Sequence, residues 1–357
     1  MSRATHLFWM DIQAGKYVLA MKVWGVERQL IKLIFNIVLA ICSVVLPKSI
    51  LAADNCINAI GDTERLRCYD DQQRNEALEK QSNDFDGQVQ GALQKRLSNE
   101  KRASVVVWTI IPHKSNYIMP VTYNANVNTD SYEPFKEFDP EAGDLDEVEA
   151  KYQISFKVPL VTGLLNDRAE IWFAYTQVAY WQLYNSDRSS PFRETNYEPE
   201  VLLGFRSNYK LASINQSLIV LGFNHQSNGR SKPLSKSWNR IVLNFIFEKE
   251  NFVIMVKPWW RIPEDKEDDD NPDIDKYLGY GEITANYKIR KNVFGILLRN
   301  NFRQDNNLTT VQLDWSFPLN NRLDLYVQYF NGYGDGMVDY NNRNHRIGVG
   351  VMLSNWL

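Results

Sequence analysis

The chain has 357 residues and a formal net charge of -3 at neutral pH, which excludes the strongly basic surface of a nucleic-acid binder. Aromatic residues make up 13%, with 18 Tyr and 10 Trp, and the mean hydropathy is -0.40. A chain that polar is not a bundle of membrane helices.

Residues 1–52 read as a secretory signal region, with Met21 as a plausible start. Lys22, Arg28 and Lys32 supply the basic part. Leu33 to Leu46 is apolar apart from Asn36 and Ser43, Pro47 breaks the run, and Ala52 offers a small residue for cleavage. The alternative is an N-terminal anchor, for which the run is short. Residues 53–102 are polar and rich in Glu, Gln, Asn and Lys. They read as a short helical periplasmic extension, in which Cys56 and Cys68 form one local disulfide. No chemistry is assigned to it.

Residues 103–357 read as a barrel domain. The chain repeats segments of about ten residues, most of them alternating in polarity. Val105 to Asn124 is the first, kinked near Pro112. Tyr152–Val158, Ala169–Trp181, Glu198–Phe205, Ser217–Asn224, Arg240–Phe247 and Phe252–Trp260 follow. Gly281–Ile289, Val293–Phe302, Asn307–Phe317, Arg322–Tyr329 and Arg346–Leu353 complete a set of twelve. Long polar loops alternate with short turns. Aromatics gather near strand ends at Trp181, Tyr184, Trp238, Trp259, Trp260, Trp315, Tyr329 and Trp356. With a signal region, this pattern predicts an all-β fold: a 12-stranded antiparallel transmembrane β-barrel with a short polar N-terminal extension, in a bacterial outer membrane. The alternative on pattern alone is a secreted β-sandwich.

One hairpin is out of character. Ile219, Leu221, Phe223, His225 and Ser227 share one strand face, and Asn239, Ile241, Leu243, Phe245 and Phe247 share one face of the return strand. In a barrel these apolar faces meet lipid, where a polar side chain is expensive and marks a functional site. A Ser needs a base, and a His needs a third group to fix its tautomer. His225, Ser227 and Asn239 supply those roles, with Asn239 near opposite His225. Of the other histidines, His6 precedes the mature chain, and His113 and His345 lack a Ser two residues on.

Asn224 to Arg240 resembles the active-site signature of the outer membrane phospholipase A family. The resemblance continues through Tyr180–Leu183, Ser189–Pro199, Val256–Trp259, Asp270–Ile274, Lys276–Tyr280 and Gly348–Leu353, covering about residues 105–357. It implies a calcium-dependent lipase on the outer barrel wall, active as a homodimer on membrane phospholipids and lysophospholipids. By position, Ser227 is the nucleophile, His225 the base, Asn239 the orienting group and Gly229 the oxyanion-hole residue. Calcium positions fall on Arg230 (through its carbonyl), Ser235 and Ser189 of the partner subunit. The family commonly has Asp where this chain has Lys232, so a second, monomer-state calcium mode at Asp270 loses a ligand; Asp268 and Asp269 are candidates to compensate. Gln177 shares the lipid-facing parity of Phe173 and Tyr175 and reads as a dimer contact. A partner on a neighbouring strand of its own subunit is the other reading. A porin-like or adhesin barrel with a decayed site is the alternative to the lipase, and a secreted soluble esterase a third reading.

Overall fold

Alternation of polar and apolar side chains builds strands that must bury one face and present the other to a different medium. The computed structural model describes residues 91–357 apart from 105–107, 138–142, 212–213 and 321–322, with short stretches between Gly61 and Gln73. Residues 1–52, expected to be a signal region, and Cys56 of the expected disulfide lie outside the described residues. The chain divides into two units, residues 1–83 and 84–357. In the first, Cys68 is disulfide-bonded.

The second unit opens with helix α1 (Ala92–Ala103), followed by the two-residue strand β1 (Ile111–Pro112). Then come β2 (Asn116–Asn124), β3 (Val148–Gly163), β4 (Ala169–Trp181), β5 (Phe192–Leu211), β6 (Ile214–Ser227) and β7 (Ser237–Lys249). The last six are β8 (Phe252–Ile262), β9 (Gly281–Ile289), β10 (Asn292–Asn300), β11 (Thr309–Pro318), β12 (Asp324–Gly332) and β13 (Asn344–Ser354). Each of the twelve long strands pairs antiparallel with its sequence neighbours, β13 pairs with β2, and the short β1 adds to β3, so the twelve long strands close on themselves. Closure leaves no sheet edge, the requirement for a sheet in hydrocarbon. Among the described residues no helix is long and apolar enough to cross a membrane. The crossing is made by strands.

Parity sets the medium each side chain meets. On β6, Leu218, Val220, Gly222 and Asn224 are buried, while Leu221 and Phe223 are 40% and 45% exposed. The outward residues are large and apolar, which fits lipid and not water. The lumen is filled by charge pairs. Arg193 makes two 3.0 Å bonds to Glu149, Arg346 lies 2.8 Å from Glu149 and 2.7 Å from Asp335, and Lys151 lies 2.8 Å from Asp335. Further along, Glu198 and Glu200 face Lys114 and His113. A cavity of about 360 Å³ lies among Lys114, Glu198, Arg240, Glu282 and Arg299.

Three expectations are corrected. The polar extension does not end outside the barrel unit. Helix α1 buries Leu93 and Leu97 against Trp172, Leu202, Val220 and Ile246, all on inward faces. Burial of each leucine contributes about 2 kcal/mol. Arg96 and Lys157 then clasp Glu100 from either side, at 2.7 and 2.8 Å. The helix therefore stops the lumen at the end where the short turns lie. Second, the first long strand starts at Asn116, and among the described residues only Ile111 and Pro112 form a strand before it. Third, the aromatic girdle is smaller than expected. Trp238 and Trp259 are buried in the lumen, and Trp356 packs beside α1. Trp238 precedes outward Asn239 by one residue, so the alternation turns it inward.

Candidate active site

Strands β6 and β7 pair with His225 opposite Asn239 and Ser227 opposite Ser237. All four are outward and half-buried. Nδ1 of His225 lies 2.9 Å from Oδ1 of Asn239. An amide oxygen only accepts, so Nδ1 carries the proton and Nε2 is left as the base. Ser227 stands two residues on, about 7 Å along the strand. No hydrogen bond joins it to His225 among the described residues; such bonds commonly tighten when substrate arrives.

The loop of residues 228–236 is organised by Asn228, whose weight was not apparent in the sequence. Its side chain is buried. Its Oδ1 accepts from the Lys236 amide at 3.0 Å and the Arg230 amide at 3.3 Å, and its Nδ2 donates to the Leu234 carbonyl at 2.8 Å. A short polar side chain folding back on its own backbone is a common way to pin a turn. Gly229 has φ +63°, and a Cβ there would sit 2.9 Å from the Tyr197 ring. Both facts favour glycine at this position.

The calcium candidates fall on two sides. Arg230 spends its guanidinium on the carbonyls of Phe192 (3.1 Å) and Arg193 (2.6 Å). The Ser235 hydroxyl donates to the Asp270 carboxylate. Lys232 lies 3.5 Å from the same carboxylate and donates to the Glu267 carbonyl at 3.0 Å. Burial pushes the Lys236 ammonium down, against the pull of Asp270 and Asp273. Ser189 lies on the loop between β4 and β5, with φ +58°, and makes no hydrogen bond to Ser235 or Asp270 among the described residues. Asp269, a candidate to compensate for the ligand lost at Lys232, has partners of its own. It is occupied by Arg261 at 2.6 Å and the Asn271 amide at 3.0 Å. Among the described residues no three His, Cys, Asp or Glu side chains gather as a metal cage. The donors at Ser235, Asp270 and the Arg230 carbonyl are nonetheless all oxygen, the type calcium takes.

Gln177 faces outward on β4, opposite Tyr197 of β5, which is in turn opposite Ser227. It therefore shares a cross-strand row with the serine. Its amide accepts from the Tyr175 hydroxyl at 3.2 Å and reaches the Tyr152 hydroxyl at 3.5 Å, so partners within the subunit exist.

Behind the site, on the inward face, Arg240 donates to Asn224 at 2.7 and 3.0 Å and lies 4.0 Å above the Trp238 ring. Asn224 donates to Glu198 and Glu200 at 2.7 and 3.0 Å, and Trp238 to Gln226 at 2.9 Å.

With this geometry in hand, comparison with known proteins gives a consistent result. A family model described as phospholipase A1 matches residues 93–353. Phospholipase A1 of Escherichia coli K12 is 36% identical over 247 residues, 69% of this chain and 82% of that protein. The solved outer membrane phospholipase A from Escherichia coli superposes with a TM-score of 0.65 at 36% identity, covering 70% of this chain and 93% of that one. A Salmonella typhi outer membrane phospholipase, solved as a dimer with bound calcium, gives 0.64 at 36% identity, covering 69% and 93%.

Proposed function

This chain belongs to the phospholipase A1 family, and from that premise we propose how its own residues perform the chemistry. The protein is an outer-membrane phospholipase, an ester hydrolase. The reading assigns the reaction to Ser227, His225 and Asn239. The observation that carries it is the 2.9 Å bond between His225 and Asn239 on the lipid-facing wall, with Ser227 on the same face.

In the acylation step Ser227 Oγ attacks the carbonyl carbon of a glycerophospholipid or lysophospholipid acyl ester, and its proton passes to His225 Nε2. The ester C–O bond breaks, and the same proton leaves on the alcohol oxygen of the departing lysolipid or, from a lysophospholipid, glycerophosphodiester. Water then repeats the sequence on the acyl-serine, releasing fatty acid and restoring Ser227. Asn239 keeps Nδ1 protonated throughout, so Nε2 can accept and return the proton. The Gly229 amide is the oxyanion donor; without a side chain at φ +63° its backbone can approach the carbonyl.

Calcium would be held by oxygen from the Arg230 carbonyl, Ser235 and Ser189 of the partner subunit. When bound it adds positive charge that steadies the oxyanion. The Arg230 side chain is committed elsewhere, which leaves its carbonyl as the natural donor. A monomer mode centred on Asp270 is disfavoured, because Lys232 and Ser235 already engage that carboxylate. Dimerisation across the β4 wall suits Gln177, whose row leads through Tyr197 to Ser227. A second copy there would flank an acyl chain as well as lend Ser189.

The test is fatty-acid release from phospholipid in detergent micelles, with calcium or chelator, for the wild type and Ser227→Ala. Calcium-dependent release that vanishes in the mutant supports nucleophile and cofactor together. Release that persists in Ser227→Ala overturns the assignment.

A further inference from the structure

The relay on the outer wall does not stop at Asn239. Its Nδ2 donates to Oε1 of Glu264 at 2.9 Å. Glu264 lies on the loop that follows β8, and β7 pairs with β8 so that Asn239 stands opposite Ile262. The carboxylate therefore reaches back two residues along the neighbouring strand to meet the far end of the Asn239 side chain. Glu264 is half-buried, as is Asn239.

We propose that Glu264 is a positioning residue for the hydrolysis: its carboxylate fixes the orientation of the Asn239 amide and, through it, the tautomer of His225. The inference rests on the reading of Ser227, His225 and Asn239 given above. An amide has two ends of nearly equal size and opposite hydrogen-bonding character. Only with Oδ1 toward His225 can Asn239 hold the proton on Nδ1 and leave Nε2 basic. Turned over, the amide would donate to Nδ1 and place the proton on Nε2, the form that cannot accept from Ser227. His225 does not decide between these by itself, because either tautomer finds a partner. An ionised carboxylate does decide, since it only accepts and must meet the NH2 end. Its charge also lies on the side from which the imidazolium formed during acylation is stabilised. Water cannot set the orientation in this way, because it serves as donor or acceptor equally.

The experiment compares steady-state hydrolysis by the full-length protein and four variants: Glu264→Ala, Glu264→Gln, Asn239→Ala and the Asn239→Ala/Glu264→Ala double. Calcium dependence is measured for each, and folding is checked by heat-modifiable gel mobility. Glu264→Ala should lower kcat about ten-fold with KM and the half-saturating calcium concentration unchanged, a loss in the range of one misplaced orienting group. Glu264→Gln keeps an acceptor oxygen but not its exclusivity, and should recover part of the loss. In the Asn239→Ala background, removing Glu264 should cost less than two-fold. Unchanged kcat in Glu264→Ala overturns the proposal. So does a full additional loss in the double variant, or a raised calcium requirement, each of which assigns Glu264 to the loop and not to the relay. Full activity in Asn239→Ala overturns the underlying triad as well; full loss there with none in Glu264→Ala removes only this inference.

Discussion

The two faces of the β6–β7 hairpin are built from alternate residues of the same strands, yet they are held in different ways. On the inward face, Asn224, Gln226, Trp238 and Arg240 bond to one another and to Glu198 and Glu200 in a dense network. On the outward face, the polar residues form one thin line from Glu264 through Asn239 to His225, and Ser227 keeps its hydroxyl free of protein hydrogen bonds among the described residues. The difference teaches a division of labour. The lumen fixes strand register, and register alone places His225 opposite Asn239. The outer wall can then keep the Ser227 hydroxyl clear of other protein partners and available to its base, His225, when substrate arrives.

Changes on the two faces should therefore break different quantities. The largest effect is expected outside. Ser227→Ala should lower kcat by roughly three orders of magnitude or more, with unfolding in denaturant unchanged, because the side chain supports no network. Inside, Arg240→Ala leaves Asn224 and Glu198 short of a partner at a buried site. Loss of one member of such a group costs about 3–5 kcal/mol, read as an earlier unfolding midpoint. The surviving folded fraction should keep a kcat near that of the wild type. If Arg240→Ala instead lowers kcat while stability holds, the two faces are not separable in this way.

Gly229→Ala lies where the two faces meet the loop. It should lower kcat about 100-fold, the scale of losing one oxyanion donor, since a Cβ at φ +63° would stand 2.9 Å from the Tyr197 ring. Measured alongside Tyr197→Ala/Gly229→Ala, it separates crowding from backbone strain. Recovery in the double variant points to the ring, and persistent loss to φ.

Much of this arrangement was legible in the sequence, for a physical reason. Strand parity is a period of two, so His225, Ser227 and Asn239 could be placed on outward faces by counting, and the turn length put Asn239 opposite His225. The same period of two turns Trp238 and Trp259 inward, although both lie near strand ends. The packing of helix α1 into the barrel escaped because its apolar face is carried by two leucines, Leu93 and Leu97, in a polar stretch, spaced i to i+4. Glu264 and Asn228 were not legible at all. Each acts across a loop whose path no periodicity fixes. Asp269 looked free in the acidic run but is committed to Arg261, a contact made between loop and strand.

The smallest expected effect is on the lumen side and depends on pH. Asp335 lies in the loop between β12 and β13, which folds back into the barrel mouth. Burial alone would push its carboxyl up, but Lys151 and Arg346 beside it hold it well below the usual carboxylate range. A carboxyl depressed on folding adds stability that is fully present above its unfolded value of about 3.9, and that is lost as pH falls through the lower folded value. Wild type should therefore outlast Asp335→Asn in denaturant at neutral pH, and the gap should narrow only in strong acid. The Ser227 variants should show no such convergence, because their difference from the wild type is in rate and not in protonation of the fold. An Asp335→Asn deficit constant across that pH range would mean that the loop is held by shape and by the Tyr180 contacts to Asp335. The charge pairs of the lumen would then be bystanders to the register that positions the outer site.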